Sequence, residues 1–542
     1  MERRRTSRLV WARRATQTAF FLLFLILFLG AAGQSIDRPG RGVKLFFEID
    51  PLAALATWLA SHALPAGMLL ALATLAVTFL AGRWFCGWAC PFGTLHHFCA
   101  SLRRRRGGAG AFACQQPAGA SSPWQKSKYY LLAACLGGAL AGVNLAGWLD
   151  PICFFFRSLA TSIYPAFQDA VTRVFSWIYD ADPGIGPVRL TALSEPVYAF
   201  LRSHALAARQ PQYFGNVLIA ALLAGALALN FFRPRFWCRF LCPLGALLGV
   251  AGKNPLVRLE RSAEACNDCR LCQPDCQGGA DPNAAWKPAE CLYCFNCQSA
   301  CPNAAIQIAR PAAWLRGFFR PPRTERLDLG RRRVLTYGAA GLSAAFVFHT
   351  QPLGRARSFH AGLVRPPGAL PEDAFLSACL RCGECMKICP TNAIQPAALE
   401  PGLEGVWTPV LKMTLGYCEY ECTLCGQVCP SGAIRPMEVA AKQSIRIGIA
   451  YVDRGRCLPY AFARPCVVCE EHCPTPKKAI WLEETRLATP AGSVAVKQPH
   501  VDPDLCIGCG VCENKCVVKG DPAIRVSSAG ETRNPRNRVW LQ

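Results

Sequence analysis

Between Cys266 and Cys301 one spacing occurs twice. Cys266, Cys269, Cys272 and Cys276 follow C-x2-C-x2-C-x3-C, and so do Cys291, Cys294, Cys297 and Cys301. In such a run the first three thiolates hold one [4Fe–4S] cluster and the fourth reaches across to the other. This assigns Cys266, Cys269, Cys272 and Cys301 to one cluster, and Cys291, Cys294, Cys297 and Cys276 to a second. The tight spacing is poor for paired zinc knuckles. After the last cysteine, CPNAAIQI reads as small residues turning into a short strand.

This is the run of a bacterial-type ferredoxin, and four further sets lie beyond residue 350. Cys379, Cys382, Cys385 and Cys389 keep the full pattern, as do Cys506, Cys509, Cys512 and Cys516. Cys418, Cys422, Cys425 and Cys429 carry one extra residue in the first gap. Cys457, Cys466, Cys469 and Cys473 have a long first gap. Sixteen cysteines suffice for four more cubane clusters, about six in all. Spacing leaves their pairing open: nested (first set with fourth, second with third) or sequential. The recurrent CP endings argue against disulfides. Cysteine this dense in a 542-residue chain with 32 of them points to metal before disulfide chemistry. No CxxCH is present, so c-type haem is not expected.

Apolar runs occupy 19–32, 64–82, 129–149, 214–232 and 334–348, and hydrophobic residues make up 52% of the chain. The middle three runs are about as long as a bilayer core requires. Net charge alternates between them. Segments 1–17, 83–128 and 233–333 carry +5, +7 and +8 of the total +24, whereas 34–62 and 149–212 are balanced. By the positive-inside rule the basic segments face the cytoplasm. That distribution also removes the nucleic-acid reading, and RRRR at Arg103–Arg106 becomes a topology anchor. The stretch GRRRVLTYGAAGLSAAFVF, Gly330–Phe348, looks like a twin-arginine export signal placed mid-chain and retained as a fifth span.

Two copies of C-x3-CP follow apolar runs: RWFCGWACPFGTL with Cys86 and Cys90, and RFWCRFLCPLGAL with Cys238 and Cys242. The membrane part is therefore an internal duplication, with equivalent positions around an axis along the membrane normal. If each motif is helical, cysteines four apart share a face. Two such faces would bring four thiolates together as a shared metal site. Three readings stand: an iron or iron–sulfur site, a redox-active dithiol pair, or structural thiols. Cys99, Cys114, Cys135 and Cys153 read as buried small thiols.

The expected fold is an α-helical membrane domain with five transmembrane helices, internally duplicated, plus α+β bacterial-type ferredoxin domains. Its parts are 1–262 (four spans and both CxxxCP motifs), 263–310 (a cytoplasmic two-cluster ferredoxin), 311–333 (a basic linker), 334–349 (the fifth span) and 350–542 (a periplasmic four-cluster domain).

With CGWACP, CRFLCP and the two ferredoxin sets, the N-terminal 310 or so residues resemble NapH-type membrane ferredoxins and the membrane part of NosR-type proteins. The C-terminal part resembles NapG/MauM-type exported ferredoxins, through RRRVL, the stretch RPPGALPEDAFLSACLRCGECMKICP and the long-gap set. The two look fused. The resemblance implies electron transfer in a bacterial inner membrane, from quinol to a periplasmic reductase or its cytochrome partner, in a nitrate or nitrous oxide reductase type of system. The residues agree, with no catalytic triad and no phosphate-cradling glycine loop. The rival readings are a maturation or reactivation protein that reduces a partner's metal centre, and a membrane scaffold for a reductase. Candidates near a quinone site are His96 and His97, where a histidine could take a quinol proton, and Asp150 and Arg157 at the outer end of the third span. A bilayer core of roughly 30 Å separates the two cluster groups, too long for one electron hop.

Overall fold

A computed structural model describes residues 8–31, 44–106, 122–182, 184–185, 188–283, 286–308, 329–350, 360–490, 492–518 and 520–537. Cys114 and most of the basic linker lie outside these residues, as do the side chains of Arg103–Arg106. The chain forms two compact units. One comprises 1–27, 45–155 and 218–346, the other 28–44, 156–217 and 347–542.

The first unit is helical around its apolar runs. Among the described residues, the helix Arg8–Gly30 is the one long and apolar enough to cross a membrane. Pro51–Ser61, Ala66–Ala81 and Asn216–Phe231 are apolar but shorter. The expected run 129–149 is not one helix. Ser127–Leu140 stops at a turn through Gly142, at φ +83°, before Ala146–Leu149. The run 334–348 lies within the helix Arg331–Thr350. That helix packs on Ser127–Leu140 through small residues. A Cβ on Gly137 would strike the Gly338 carbonyl, one on Gly341 would strike the Ala134 carbonyl, and Tyr130 stacks on Tyr337 at 4.9 Å.

The duplication extends beyond the cysteines. Each half opens a helix with Asp-Pro. Asp50 Oδ1 accepts from the backbone N–H of Leu52 and Ala53 at 2.8 and 3.2 Å, and Asp150 Oδ1 from Ile152 and Cys153 at 3.0 and 2.8 Å. Aspartate supplies the side-chain cap, and proline fits the first turn, where its missing N–H costs nothing. Also in this unit, Leu259–Arg261 pairs antiparallel with Ile306–Ile308, in register Leu259↔Ile308. The second of these is the strand that CPNAAIQI implies.

Among the described residues the second unit holds a short antiparallel pair, Gly184–Ile185 with Val188–Arg189, and three more in its cluster-bearing part. Ile394–Pro396 pairs with Pro409–Leu411, Ile449–Val452 with Ile524–Ser527, and Ile480–Thr489 with Gly492–Val501. Its core gathers Phe375, Met386, Ile394, Leu411, Ile434, Ile480 and Ile524 among buried cysteines. Helices Tyr164–Ala181 and Leu190–His204 belong to the same unit.

Candidate metal centres

In all four full-pattern sets the backbone curls in the same way. The second residue after the first cysteine and the first residue after the second cysteine have positive φ. These pairs are Asp268/Arg270, Tyr293/Phe295, Arg381/Gly383 and Gly508/Gly510, with φ between +50° and +87°. Five of the eight are not glycine and lie between +50° and +57°, although Asp, Arg, Tyr and Phe all pay a steric cost there. Left-handed residues interleaved in a loop turn successive N–H groups inward, making a concavity that suits an anionic iron–sulfur centre.

The cysteines line cavities in fours. Cys266, Cys269, Cys272 and Cys301 line one cavity, and Cys276, Cys291, Cys294 and Cys297 another. In the second unit Cys473, Cys506, Cys509 and Cys512 line one cavity, and Cys457, Cys466, Cys469 and Cys516 another. The remaining eight divide in the same manner. Burial raises the Cys385 thiol, and Cys382, Cys379 and Cys429 beside it, then Cys425 of the adjoining cradle, raise it further. Burial raises Cys425, with Cys418, Cys422 and Cys389 as its neighbours. Each fourth cysteine thus crosses to the adjacent set, and the pairing is sequential: first with second, third with fourth. The described cysteines are all free of disulfides. Among the described residues no three of His, Cys, Asp and Glu converge tightly enough for a single metal ion. The thiols instead line cavities four at a time, and four thiols around one cavity is the donor set that a [4Fe–4S] centre takes.

The two CxxxCP motifs meet. Cys86, Cys90, Cys238 and Cys242 are all buried. Burial raises Cys242, and so do Cys238, Cys86 and Cys90 close by. Neither motif is a single helix. Trp84–Trp88 and the π-helical turn Trp237–Leu241 end before the second cysteine, because proline follows it and forces that cysteine out of helical geometry (Cys242 ψ 108°). The second cysteine heads the next helix instead. The Cys90 and Cys242 sulfurs accept from the Gly93 and Gly245 N–H at 3.4 and 3.2 Å. Each repeat also reaches into the other. Arg83 Nη2 donates to the Cys238 carbonyl at 3.4 Å, and Arg235 Nη1 to the Cys86 carbonyl at 3.0 Å. Both guanidiniums are buried, and Arg83 Nε, Arg235 Nε and Arg235 Nη2 have no hydrogen-bond partner. Glu290 answers part of this charge, accepting from Arg83 Nη1 at 3.3 Å, from Lys128 Nζ, and from the Tyr129 hydroxyl at 2.8 Å. A surplus of buried cation around four thiols fits an anionic centre.

This core packs directly on the ferredoxin loop that follows Glu290. Trp88 Nε1 donates to the Tyr293 carbonyl at 3.0 Å. A Cβ on Gly87 would collide with the Leu292 carbonyl, so only glycine allows the approach.

The quinone-site candidates fall in different places. His96 is buried, its Nδ1 2.7 Å from Asn230 Nδ2, and burial lowers it to about 4. Burial, then Arg235, Arg13 and Arg14, lower His97 to about 2. Both rings are neutral at pH 7 and hold a proton poorly. Asp150 lies close to Asp50, both carboxyls are buried, and burial first and the Asp150 charge second raise Asp50. Arg157 donates from Nη1 to the Arg381 carbonyl at 2.8 Å and lies over the Trp407 ring at 4.4 Å, beside the Cys379 loop. Sequence reasoning passed over Asp50, Arg83, Arg235 and Glu290. The available signals were the repeated Asp-Pro and an arginine three residues before the first cysteine of each motif.

Family models described as a 4Fe-4S binding domain match residues 63–108, 216–261 and 499–516, and one described as a 4Fe-4S dicluster domain matches 378–433. The first two ranges contain the two CxxxCP motifs. The ferredoxin-type protein NapG of Escherichia coli (strain K12) is 40% identical over 228 residues, covering 41% of this chain and 96% of NapG. The methylamine utilization ferredoxin-type protein MauM of Methylorubrum extorquens is 38% identical over 225 residues, covering 39% of this chain and 96% of MauM. The putative electron transport protein YccM of Escherichia coli (strain K12) is 26% identical over 294 residues, covering 52% of this chain and 68% of YccM. No solved structure matches. With nearly the whole of NapG and MauM contained in it, the chain belongs to the NapG/MauM family of ferredoxin-type proteins.

Proposed function

We propose that this protein is a membrane-bound electron carrier that takes electrons from the quinol pool and delivers them to a periplasmic reductase or its cytochrome partner. The observation that carries the reading is the set of six four-cysteine cradles, two in one unit and four in the other. The alternation of basic segments supports five spans, with the first ferredoxin cytoplasmic and residues 350–542 outside. The Gly330–Phe348 stretch supports export of that domain by a twin-arginine route.

Bound clusters would supply one-electron chemistry, and the chain's task is to hold them, set their surroundings and exclude water. Cys276, Cys291, Cys294 and Cys297, Cys266, Cys269, Cys272 and Cys301, and the sixteen cysteines from Cys379 to Cys516 are the ligands. Cys86, Cys90, Cys238 and Cys242 would hold one further iron–sulfur centre, shared between the repeats, with Arg83 and Arg235 balancing its charge. Asp150 with Asp50 is the better-placed proton acceptor for a quinol. Two buried carboxyls close together favour holding a shared proton, whereas burial keeps His96 and His97 neutral.

The test is anaerobic reduction of the purified full-length protein by a menaquinol analogue, with cluster bleaching followed at turnover rates. Bleaching supports quinol oxidation. A loaded protein that no quinol reduces, but that itself reduces metal ions, would refute it in favour of metal-centre maintenance.

A further inference from the structure

In the second unit the four cradles adjoin one another in a fixed order. The cradle Cys379–Cys382–Cys385–Cys429 shares its two loops with Cys389–Cys418–Cys422–Cys425 through the crossing fourth cysteines. The next junction is a backbone hydrogen bond, from the Cys418 N–H to the Cys509 carbonyl at 2.8 Å. Asn514 Nδ2 adds a second link, to the Met413 carbonyl at 3.1 Å. Cys509 belongs to the cradle Cys473–Cys506–Cys509–Cys512, and this in turn shares loops with Cys457–Cys466–Cys469–Cys516. Sequence order is therefore not spatial order. The long-gap set, third in the chain, is last in the row.

The two ends of the row differ. Segment 156–217 lies between two apolar runs of the sequence, and its bonds to the cluster-bearing region go to the first end. Arg157 donates to the Arg381 carbonyl, the Tyr213 hydroxyl to the Met386 carbonyl at 2.9 Å, and the Phe214 N–H to Gln395 Oε1 at 3.2 Å. Lys387 Nζ sits 3.2 Å above the Tyr164 ring. The far end has an apolar lining, including Leu458, Pro459, Val468 and Val517. Phe462 is 60% exposed and its N–H bonds the Leu458 carbonyl at 3.1 Å, while Val517 is 45% exposed.

We infer that the cradle of Cys457, Cys466, Cys469 and Cys516 is the point where this domain exchanges electrons with a protein partner, one electron leaving there for each taken up at the Cys379 end. The inference rests on the electron-carrier reading above. A protein acceptor must bring its own redox centre near the surface, and among the described residues none of segment 156–217 lines this end of the row.

The test uses the full-length protein in detergent, reduced with dithionite and mixed with oxidised cytochrome c as the acceptor. Phe462→Cys carrying a polyethylene glycol maleimide should slow cytochrome c reduction by about tenfold, as expected when the productive docking orientation is blocked. Leu399→Cys carrying the same group, on the half of the domain that holds the first two cradles, should not, nor should the wild type treated with the reagent. Slowing by the Leu399 label, or equal slowing by both, overturns the inference. Iron counts give an independent readout. Cys466→Ser, Cys516→Ser and the double variant should each lose the same about four irons, since all lack one cluster. Additive loss in the double variant also overturns the ligand set. A fully loaded, reduced protein that passes electrons neither to cytochrome c nor to ferricyanide strikes the carrier reading itself.

Discussion

Glu372 closes the second unit. It opens the helix Glu372–Ala378 and accepts from Arg365 through Nη2 at 2.5 Å and Nε at 3.3 Å, and from Arg533 Nη1 at 2.7 Å. Arg365 is fully buried and also donates to Thr408 Oγ1 and the Pro409 carbonyl at 2.8 and 2.7 Å. Burial alone would raise the carboxyl, but Arg365 and Arg533 outweigh it and hold it at about 2, against an ordinary 4.5. At ~1.36 kcal/mol per unit that shift corresponds to about 3.4 kcal/mol. The side chain is 23% exposed, so solvent screening reduces the figure to about 2–3 kcal/mol. The sign follows from a depressed folded value. The stabilisation is present above pH ~4.5 and is lost as pH falls toward 2. Glu372→Gln should therefore cost about 2–3 kcal/mol at pH 7, measured by urea unfolding of the full-length protein followed by tryptophan fluorescence. Acid also attacks iron–sulfur clusters, so wild type and variant are compared at each pH. Their difference should shrink as pH drops through 4.5. A difference below about 0.5 kcal/mol at pH 7, or one that does not shrink in acid, would refute the reasoning.

Three further outcomes are expected. Glu290→Gln leaves buried Arg83 and Lys128 without their carboxylate and should destabilise the first unit by about 3 kcal/mol or more, read as a lowered urea midpoint; an unchanged midpoint would show that other groups carry this charge. Gly87→Ala drives a methyl into the Leu292 carbonyl and should cost about 1–3 kcal/mol, with the Cys276–Cys291–Cys294–Cys297 cluster lost first on heating; wild-type behaviour would mean that the loop yields freely. Cys86→Ser and Cys242→Ser, one from each repeat, should remove the same iron from the protein, and an iron count equal to wild type in both would sink the shared centre.

Much of the site could be read along the chain. Three cysteines in C-x2-C-x2-C sit on one loop, so their spacing alone places three thiols around a common point, and the repeated CP motif announces a duplication. The partner of each loop is a different matter. The fourth thiol comes from the neighbouring set, and spacing was equally compatible with nested and sequential pairing. Strand pairing and the Cys418–Cys509 contact select sequential pairing and move the long-gap set to the end of the row. The two sets between Cys266 and Cys301, by contrast, left no such choice, because they stand alone in their stretch of sequence.

The same division holds at the duplicated core. Local sequence determined that proline would break each CxxxCP helix and put the second cysteine at the head of the next one. It also held the Asp-Pro caps and both arginines in plain view. Only the tertiary structure decided that Arg83 serves Cys238 and Arg235 serves Cys86, that Asp50 meets Asp150, and that Glu290 lies under both Arg83 and Lys128. The physical reason is range. Backbone conformation depends on a few neighbouring residues, whereas a buried charge is tolerable only where a partner from elsewhere in the chain is brought against it.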